Sequence, residues 1–194
     1  KHGFALKSLL SSSAPLSSQD KWMLATTAAF DIHECYGTAE TATVSSHILA
    51  PHGDGFDSVG RVLPGADIKI SSTSADDKFE GVPTGEILVR SNCMFDGYLE
   101  DDAEVSSALD SNGYFATGDL GKINHVGAVE FRGRVTDSIN TGGYTISPIA
   151  IEEAALSSGF VAEAMAFGAP DQVLGEVPVL LVRWNRGGEN LRSL

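Results

Sequence analysis

Gly133-Arg134-Val135-Thr136-Asp137-Ser138-Ile139-Asn140-Thr141-Gly142-Gly143-Tyr144-Thr145-Ile146-Ser147-Pro148-Ile149-Ala150-Ile151-Glu152 is the stretch around which this chain is organised. Gly133-Arg134 ends a strand and sets a guanidinium at its exit. Ser138 to Ile146 follows as two short β runs around Thr141-Gly142-Gly143, a hairpin signal because glycine reaches φ > 0 without steric cost. Ser147-Pro148 then opens a helix: serine accepts from the free amides of a first turn, and proline is pre-set for the first helical position. A fixed cation, a linker, a glycine hairpin and a capped helix in so short a stretch predict a joint between two bodies.

The rest of the chain supplies the bodies. Its 194 residues suffice for one large or two small cores, and 42% hydrophobic content is ordinary for a globular protein. No apolar run approaches the roughly 18 residues of a membrane span. The chain starts at Lys1 and stops in a polar run at Leu194, which predicts an internal piece of a longer protein. Cys35 and Cys93 form neither a metal motif nor a disulfide framework; they predict partly buried small residues in a reducing cytoplasm. The histidines show no metal spacing, and His33-Glu34 and His47 to His52 are expected at the surface. A formal net charge of −13 argues against nucleic acid and anionic membranes as partners. Any anionic ligand must therefore be held by local groups: amide nests, a divalent cation or a placed arginine.

In chain order, Phe4 to Leu10 predicts a strand, Ser11 to Pro15 a turn, and Ser17 or Ser18 caps a helix reaching about Phe30. Ile32 to Tyr36 returns as a strand, so strand, helix and strand predict the end of a parallel α/β sheet. From Gly60 the character changes. Arg61 to Gly65, Ile68 to Ile70, Gly85 to Arg90 and Val129 to Arg132 are short strands between Gly, Pro and Asp, an antiparallel β subdomain. Ser71 to Gly81 reads as a polar loop and Asp101 to Leu109 as a short acidic helix. Ile149 to Leu156 predicts a helix with an apolar face at Ile151, Ala154 and Ala155. Val161 to Phe167 and Val177 to Trp184 complete a small α+β unit.

Four short polar groups stand after or between strands, where ligands of α/β proteins collect: Ser13-Ala14-Pro15, Tyr36-Gly37-Thr38-Ala39-Glu40, Thr117-Gly118-Asp119 and Gly133-Arg134. Taken singly, Asp119 and Glu40 are solvated turn carboxylates, Tyr36 a core residue and Arg134 half of a surface ion pair. Their order is more specific. With Val59 to Gly65, Gly85 to Arg90, Met94-Phe95-Asp96-Gly97-Tyr98, Gly113 to Asp119, the opening stretch, Gly168 to Asp171 and Gly175-Glu176, the chain resembles the adenylate-forming superfamily across nearly its whole length. That superfamily comprises acyl-CoA synthetases, peptide-synthetase adenylation domains and luciferases.

The resemblance implies the end of a doubly wound α/β subdomain at 1–59, an antiparallel β subdomain at 60–134, and a small mobile C-terminal α+β domain at 135–194. It implies an ATP-dependent acid–CoA ligase using ATP, Mg2+ and coenzyme A, acting on a carboxylic acid in the cytoplasm. Thr38 and Glu40 then serve catalysis at the phosphates, Glu40 as the Mg2+ ligand. Gly37 lets backbone approach phosphate, Tyr36 packs on adenine, and Ser13-Ala14-Pro15 border it. Asp119 accepts both ribose hydroxyls through one carboxylate, and Arg134 is the ribose-side arginine. Gly142 and Gly143 line the path of the pantetheine thiol, and Thr136 stands at the hinge where family members usually carry Asp or Lys. Tyr144 and Ala150 also depart from frequent glutamates. The family's phosphate loop is expected upstream of Lys1 and its C-terminal lysine beyond Leu194, so these residues alone are expected not to adenylate an acid. An adenylation domain loading a carrier-protein thiol, and a non-catalytic nucleotide-binding relative, are the competing readings.

Overall fold

The structure, a computed structural model, describes residues 6–50, 56–72, 78–79, 82–99, 105–106 and 108–185. It divides into two compact units, Lys1–Phe131 and Arg132–Leu194. Most of the described chain is strand, with few helices. Among the described residues no helix is long and apolar enough to cross a membrane.

The first unit opens with β1 (Ser8–Ser11), α1 (Ser18–Thr27) and β2 (Asp31–Thr38). β1 and β2 pair in parallel, from Ser8 opposite Asp31 to Ser11 opposite Glu34, with α1 as the crossover. The helix starts where Ser17 Oγ accepts the Asp20 N–H at 3.0 Å. It stops at Thr27, short of the expected Phe30. Thr26 and Thr27 turn their hydroxyls back onto the carbonyls of Trp22 and Met23, and Ala28 is extended.

β3 (Ala42–Ile48) and β4 (Arg61–Val62) complete a sheet of order β1-β2-β3-β4. A second sheet is built from β5 (Ala66–Ser72), β8 (Gly85–Ser91), β11 (Phe115–Ile123) and β12 (Val129–Arg134), in the order β12-β11-β8-β5. Between these run two short pairs, β6 (Lys78–Phe79) with β7 (Val82–Pro83), and β9 (Tyr98–Leu99) with β10 (Val105–Ser106). β8 shows why the pattern reads as strand: Gly85, Ile87 and Val89 are buried while Glu86, Leu88 and Arg90 are less so. Ile68, Ile87, Val89 and Val129 from the second sheet share one core with Tyr36, Val44 and Val59.

Several expectations need correction. Phe4 to Leu10 yields a strand only from Ser8, and residues 1–5 lie outside the described ones. Ser71 and Ser72 belong to β5, not to a loop, and Lys78–Phe79 pairs with Val82–Pro83. The acidic helix is absent where it is described: Val105–Ser106 pairs with β9 and Leu109 bridges Phe115; 101–104 and 107 lie outside the described residues. Pairing with β9 satisfies this backbone in place of helical hydrogen bonds. Cys93 is exposed, whereas Cys35 is buried.

His47 is not a surface group. Its Nε2 lies 3.0 Å from Glu34 Oε2, the same oxygen that Lys21 Nζ reaches at 2.8 Å. Lys21 also donates to Ser58 O at 3.1 Å, so one buried charge cluster ties α1, β2 and β3 to the segment before β4. His52 lies outside the described residues.

The second unit continues from the end of β12 through a 3-10 turn (Val135–Asp137), β13 (Ile139–Thr141), β14 (Tyr144–Ile146), α2 (Pro148–Ser157), β15 (Val161–Asp171) and β16 (Gly175–Trp184). Its sheet order is β14-β13-β16-β15. The expected hairpin is present: Thr141 faces Tyr144 across Gly142 and Gly143, whose φ values of +55° and +87° fit a type I′ turn. The expected side-chain cap at Ser147 is not made. Ser147 Oγ instead donates to Arg132 O at 2.6 Å, and the helix starts on Pro148 at its first turn. Of the predicted apolar face, Ala154 is exposed. Glu152 fastens the helix by accepting the Ala166 N–H of edge strand β15 at 2.8 Å, which also covers a backbone donor on an open edge.

Candidate functional site

Parallel pairing of β1 and β2 puts the chain exits from both strands at one end of the sheet. The Ser13-Ala14-Pro15 loop and the Tyr36 to Glu40 stretch therefore share that end, where open α/β sheets receive ligands. Ser13 holds φ +74°, a left-handed value uncommon for a non-glycine residue.

At the end of β2 the chain turns sharply into β3, with Thr38 opposite Ala42. Thr41 organises this turn: fully buried, its hydroxyl accepts the Thr38 N–H at 3.0 Å and lies 3.3 Å from Thr38 Oγ1. A register shift falls between Tyr36 and Gly37. Gly37 is needed here for packing within the hairpin, since a Cβ on it would lie 1.9 Å from Ala42 O.

Glu40 sits at the tip, half-buried. Tyr98 donates its hydroxyl to Glu40 Oε1 at 2.8 Å, and that hydrogen bond pushes the Tyr98 phenol above its ordinary pKa. The Phe95 N–H donates to Glu40 O at 2.9 Å, and the Phe95 ring stands edge-on to Tyr98 and to Phe115. Among the described residues no three His, Cys, Asp or Glu side chains gather as a metal cluster. A loop carboxylate such as Glu40 is nonetheless a donor that suits Mg2+, which is commonly held by one or two carboxylates with phosphate and water completing its shell.

Asp119 comes from the second sheet. Thr117-Gly118-Asp119 is not a turn but a bulge inside β11: Ala116 faces Leu88 and Leu120 faces Glu86, so all three residues oppose Ile87 alone. Such a bulge re-aims a side chain. The Asp119 carboxylate, 3% exposed, accepts the Tyr36 hydroxyl at 2.9 Å, with Thr117 Oγ1 3.4 Å from the same hydroxyl. The structure thus brings Tyr36, Thr117 and Asp119 together across two sheets, and Phe131 lies against Tyr36 with ring centroids 6.2 Å apart.

Arg134, Thr136, Gly142 and Gly143 belong to the second unit. Arg134 ends β12, exposed, and its carbonyl accepts Ser138 Oγ at 3.2 Å. Thr136 lies in the 3-10 turn and donates its hydroxyl to Asp137 Oδ1 at 3.0 Å. The Gly142 N–H donates to Leu174 O at 2.9 Å, joining this turn to the tip between β15 and β16. The sequence reading gave no role to Glu86 or Tyr98. Both lie in stretches already singled out, Gly85 to Arg90 and Met94 to Tyr98, and a motif residue without a role was the signal for them.

A family model described as AMP-binding enzyme matches residues 2–99. The chain belongs to this family. It is 31% identical over 196 residues to a 4-coumarate--CoA ligase-like 9 from Oryza sativa subsp. japonica, covering 95% of this chain and 34% of that protein. Solved structures share the fold. ATP-bound MatB from Rhodopseudomonas palustris superposes with a TM-score of 0.75 at 29% identity, over 92% of this chain and 35% of that one. The Bacillus subtilis o-succinylbenzoate CoA synthetase, in complex with its acyl-adenylate intermediate OSB-AMP, gives 0.74 at 27%, over 93% and 37%. This AMP-binding enzyme chain thus spans about a third of the length of its relatives.

Proposed function

We propose that the protein carrying this chain is an ATP-dependent acid–CoA ligase. The carboxylate oxygen of an acid bonds to the α-phosphorus of ATP as the bond to pyrophosphate breaks. The thiolate of coenzyme A then bonds to the acyl carbon as the bond to AMP breaks. The observation that carries this reading is the Tyr36–Asp119 pair, in which a β-bulge aims a buried carboxylate at the Tyr36 phenol near the end of β2. A carboxylate so placed accepts a ribose diol through charge-assisted hydrogen bonds, and the phenol ring offers adenine an apolar face.

Around that pair, Thr38 offers its hydroxyl to phosphate and Ser13-Ala14-Pro15 border the base. Glu40 would hold Mg2+, whose charge offsets that of the phosphates when bound. In the second unit Arg134 serves the ribose side, Thr136 lies at the hinge, and the Gly142-Gly143 turn lines the thiol path. The division into 1–59, 60–134 and 135–194 and a cytoplasmic location belong to the same proposal. The relatives named as CoA ligases and the ATP-bound neighbour support it. The test is a panel of carboxylic acids with the protein, following AMP release with and without coenzyme A. Acid-dependent AMP release that requires coenzyme A is expected; full turnover without it overturns the assignment.

A further inference from the structure

The β11 bulge leaves a backbone donor outside the sheet ladder, and one side chain collects it. Glu86 Oε1 accepts the Gly118 N–H at 2.9 Å. Glu86 stands opposite Leu120 on the neighbouring strand, immediately beyond the irregular stretch. Gly118 has φ +73°, and a Cβ there would meet nothing within 4 Å, so glycine is required by the backbone angle and not by space. Two further bonds close the bulge: Thr117 Oγ1 donates to Ile87 O at 2.8 Å and accepts the Asp119 N–H at 3.1 Å. Glu86 thus holds the Thr117–Gly118 peptide, and the Thr117 hydroxyl holds the Gly118–Asp119 peptide that follows it. Together the two peptides set the direction in which the Asp119 side chain leaves the strand.

We infer that Glu86 is a positioning residue for nucleotide binding: by holding the Gly118 amide, it aims the Asp119 carboxylate at the ribose diol. The inference rests on reading Asp119 as the diol acceptor. It assigns Glu86 an acceptor's job in which its charge is secondary, and it separates ligands that carry the diol from ligands that lack it.

The experiment measures binding of AMP and of 2′,3′-dideoxy-AMP to the protein and to Glu86→Ala, Glu86→Gln, Asp119→Ala and Glu86→Ala/Asp119→Ala. Loss of a hydrogen bond that orients a charged acceptor predicts AMP binding weakened about 10- to 100-fold in Glu86→Ala. Dideoxy-AMP binding is expected to be unchanged. Glu86→Gln keeps an acceptor oxygen and is expected to restore AMP binding to within about threefold. The double variant is expected to be no weaker than Asp119→Ala, because Glu86 acts through Asp119. Amide exchange at Gly118 gives a readout without ligand: protection is lost in Glu86→Ala and kept in Glu86→Gln. Wild-type AMP affinity in Glu86→Ala, equal losses for both nucleotides, or a Gln variant as weak as Ala overturns the role of Glu86 while leaving Asp119 intact. Unchanged AMP binding in Asp119→Ala overturns the diol reading and the inference with it.

Discussion

Replacing Lys21 with methionine removes one charge from the buried cluster of the first unit. Lys21 and Glu34 side chains are 6% and 4% exposed, with Nζ 2.8 Å from Oε2. Methionine keeps most of the apolar stem but withdraws the cation from Glu34 and the donor from Ser58 O. Breaking a buried pair on one side costs roughly 3–5 kcal/mol, because the remaining charge stays desolvated. His47 still reaches Glu34 Oε2 at 3.0 Å, so the expected loss is at the lower end, about 3 kcal/mol. At a urea m-value of about 1.5 kcal/mol/M this moves the midpoint down by about 2 M. The chain has two tryptophans, and Trp22 is next to Lys21 on α1. A Trp184→Phe background therefore lets Trp22 fluorescence report the first unit. The double variant Lys21→Met/Glu34→Leu removes both charges and is expected to recover most of the loss. A single variant costing less than about 1 kcal/mol, or a double variant falling as far as the single one, would show that the cluster does not hold these elements together. The consequence reaches the site, since Glu34 and Tyr36 share one face of β2.

Gly37→Ala is expected to cost about 3 kcal/mol by urea unfolding, because its Cβ would meet backbone atoms of Ala42 and Thr43 that no rotamer change relieves. Nucleotide affinity should fall with it, as the Thr38–Thr41 turn shifts. A second expectation concerns acid. The Tyr114 hydroxyl, followed by Arg90 and Lys69, holds the Asp67 carboxyl below its ordinary range, against a smaller opposing effect of desolvation. A depressed carboxyl contributes stability that is present above its unfolded value and lost as pH falls through the folded one. The urea midpoint of native protein should therefore exceed that of Asp67→Asn at neutral pH, with the gap closing below about pH 4. A gap that persists unchanged in acid would remove Asp67 ionisation from the account.

The strands and helices that sequence predicted well are those whose signal is local. Ser17 and Pro148 mark helix starts, and Thr141-Gly142-Gly143-Tyr144 states its own turn type through two residues at φ > 0. β3 was missed because the turn that folds it back onto β2, Thr38-Ala39-Glu40-Thr41-Ala42, holds no Gly, Asn, Asp or Pro to signal a hairpin, and Val105–Ser106 because its pairing is settled by a separate strand, Ser106 with Tyr98. His47 was placed at the surface for the same reason. Nothing in its neighbours announces that Glu34 and Lys21 converge on it through a hairpin and a crossover helix.

The motif Thr117-Gly118-Asp119 shows the limit most sharply. A glycine at positive φ flanked by hydrogen-bonding side chains describes a turn and a bulge equally well, because both reverse or kink the backbone through the same left-handed residue. What separates them is whether strand pairing resumes beyond, and here Leu120 opposite Glu86 resumes it. The difference matters chemically. In a turn, Asp119 would extend into solvent and its carboxylate would be worth little in water; in a bulge it is held at 3% exposure against a phenol. Hydrogen bonds to a carboxylate gain strength as water is excluded. The short polar groups that looked like punctuation between strands are therefore better understood as irregularities within or at the ends of strands: Gly37 where β2 shifts register, Gly118 where β11 bulges. Sheet pairing on either side supplies the rigidity that a free loop would lack, and the irregular residue supplies the aim.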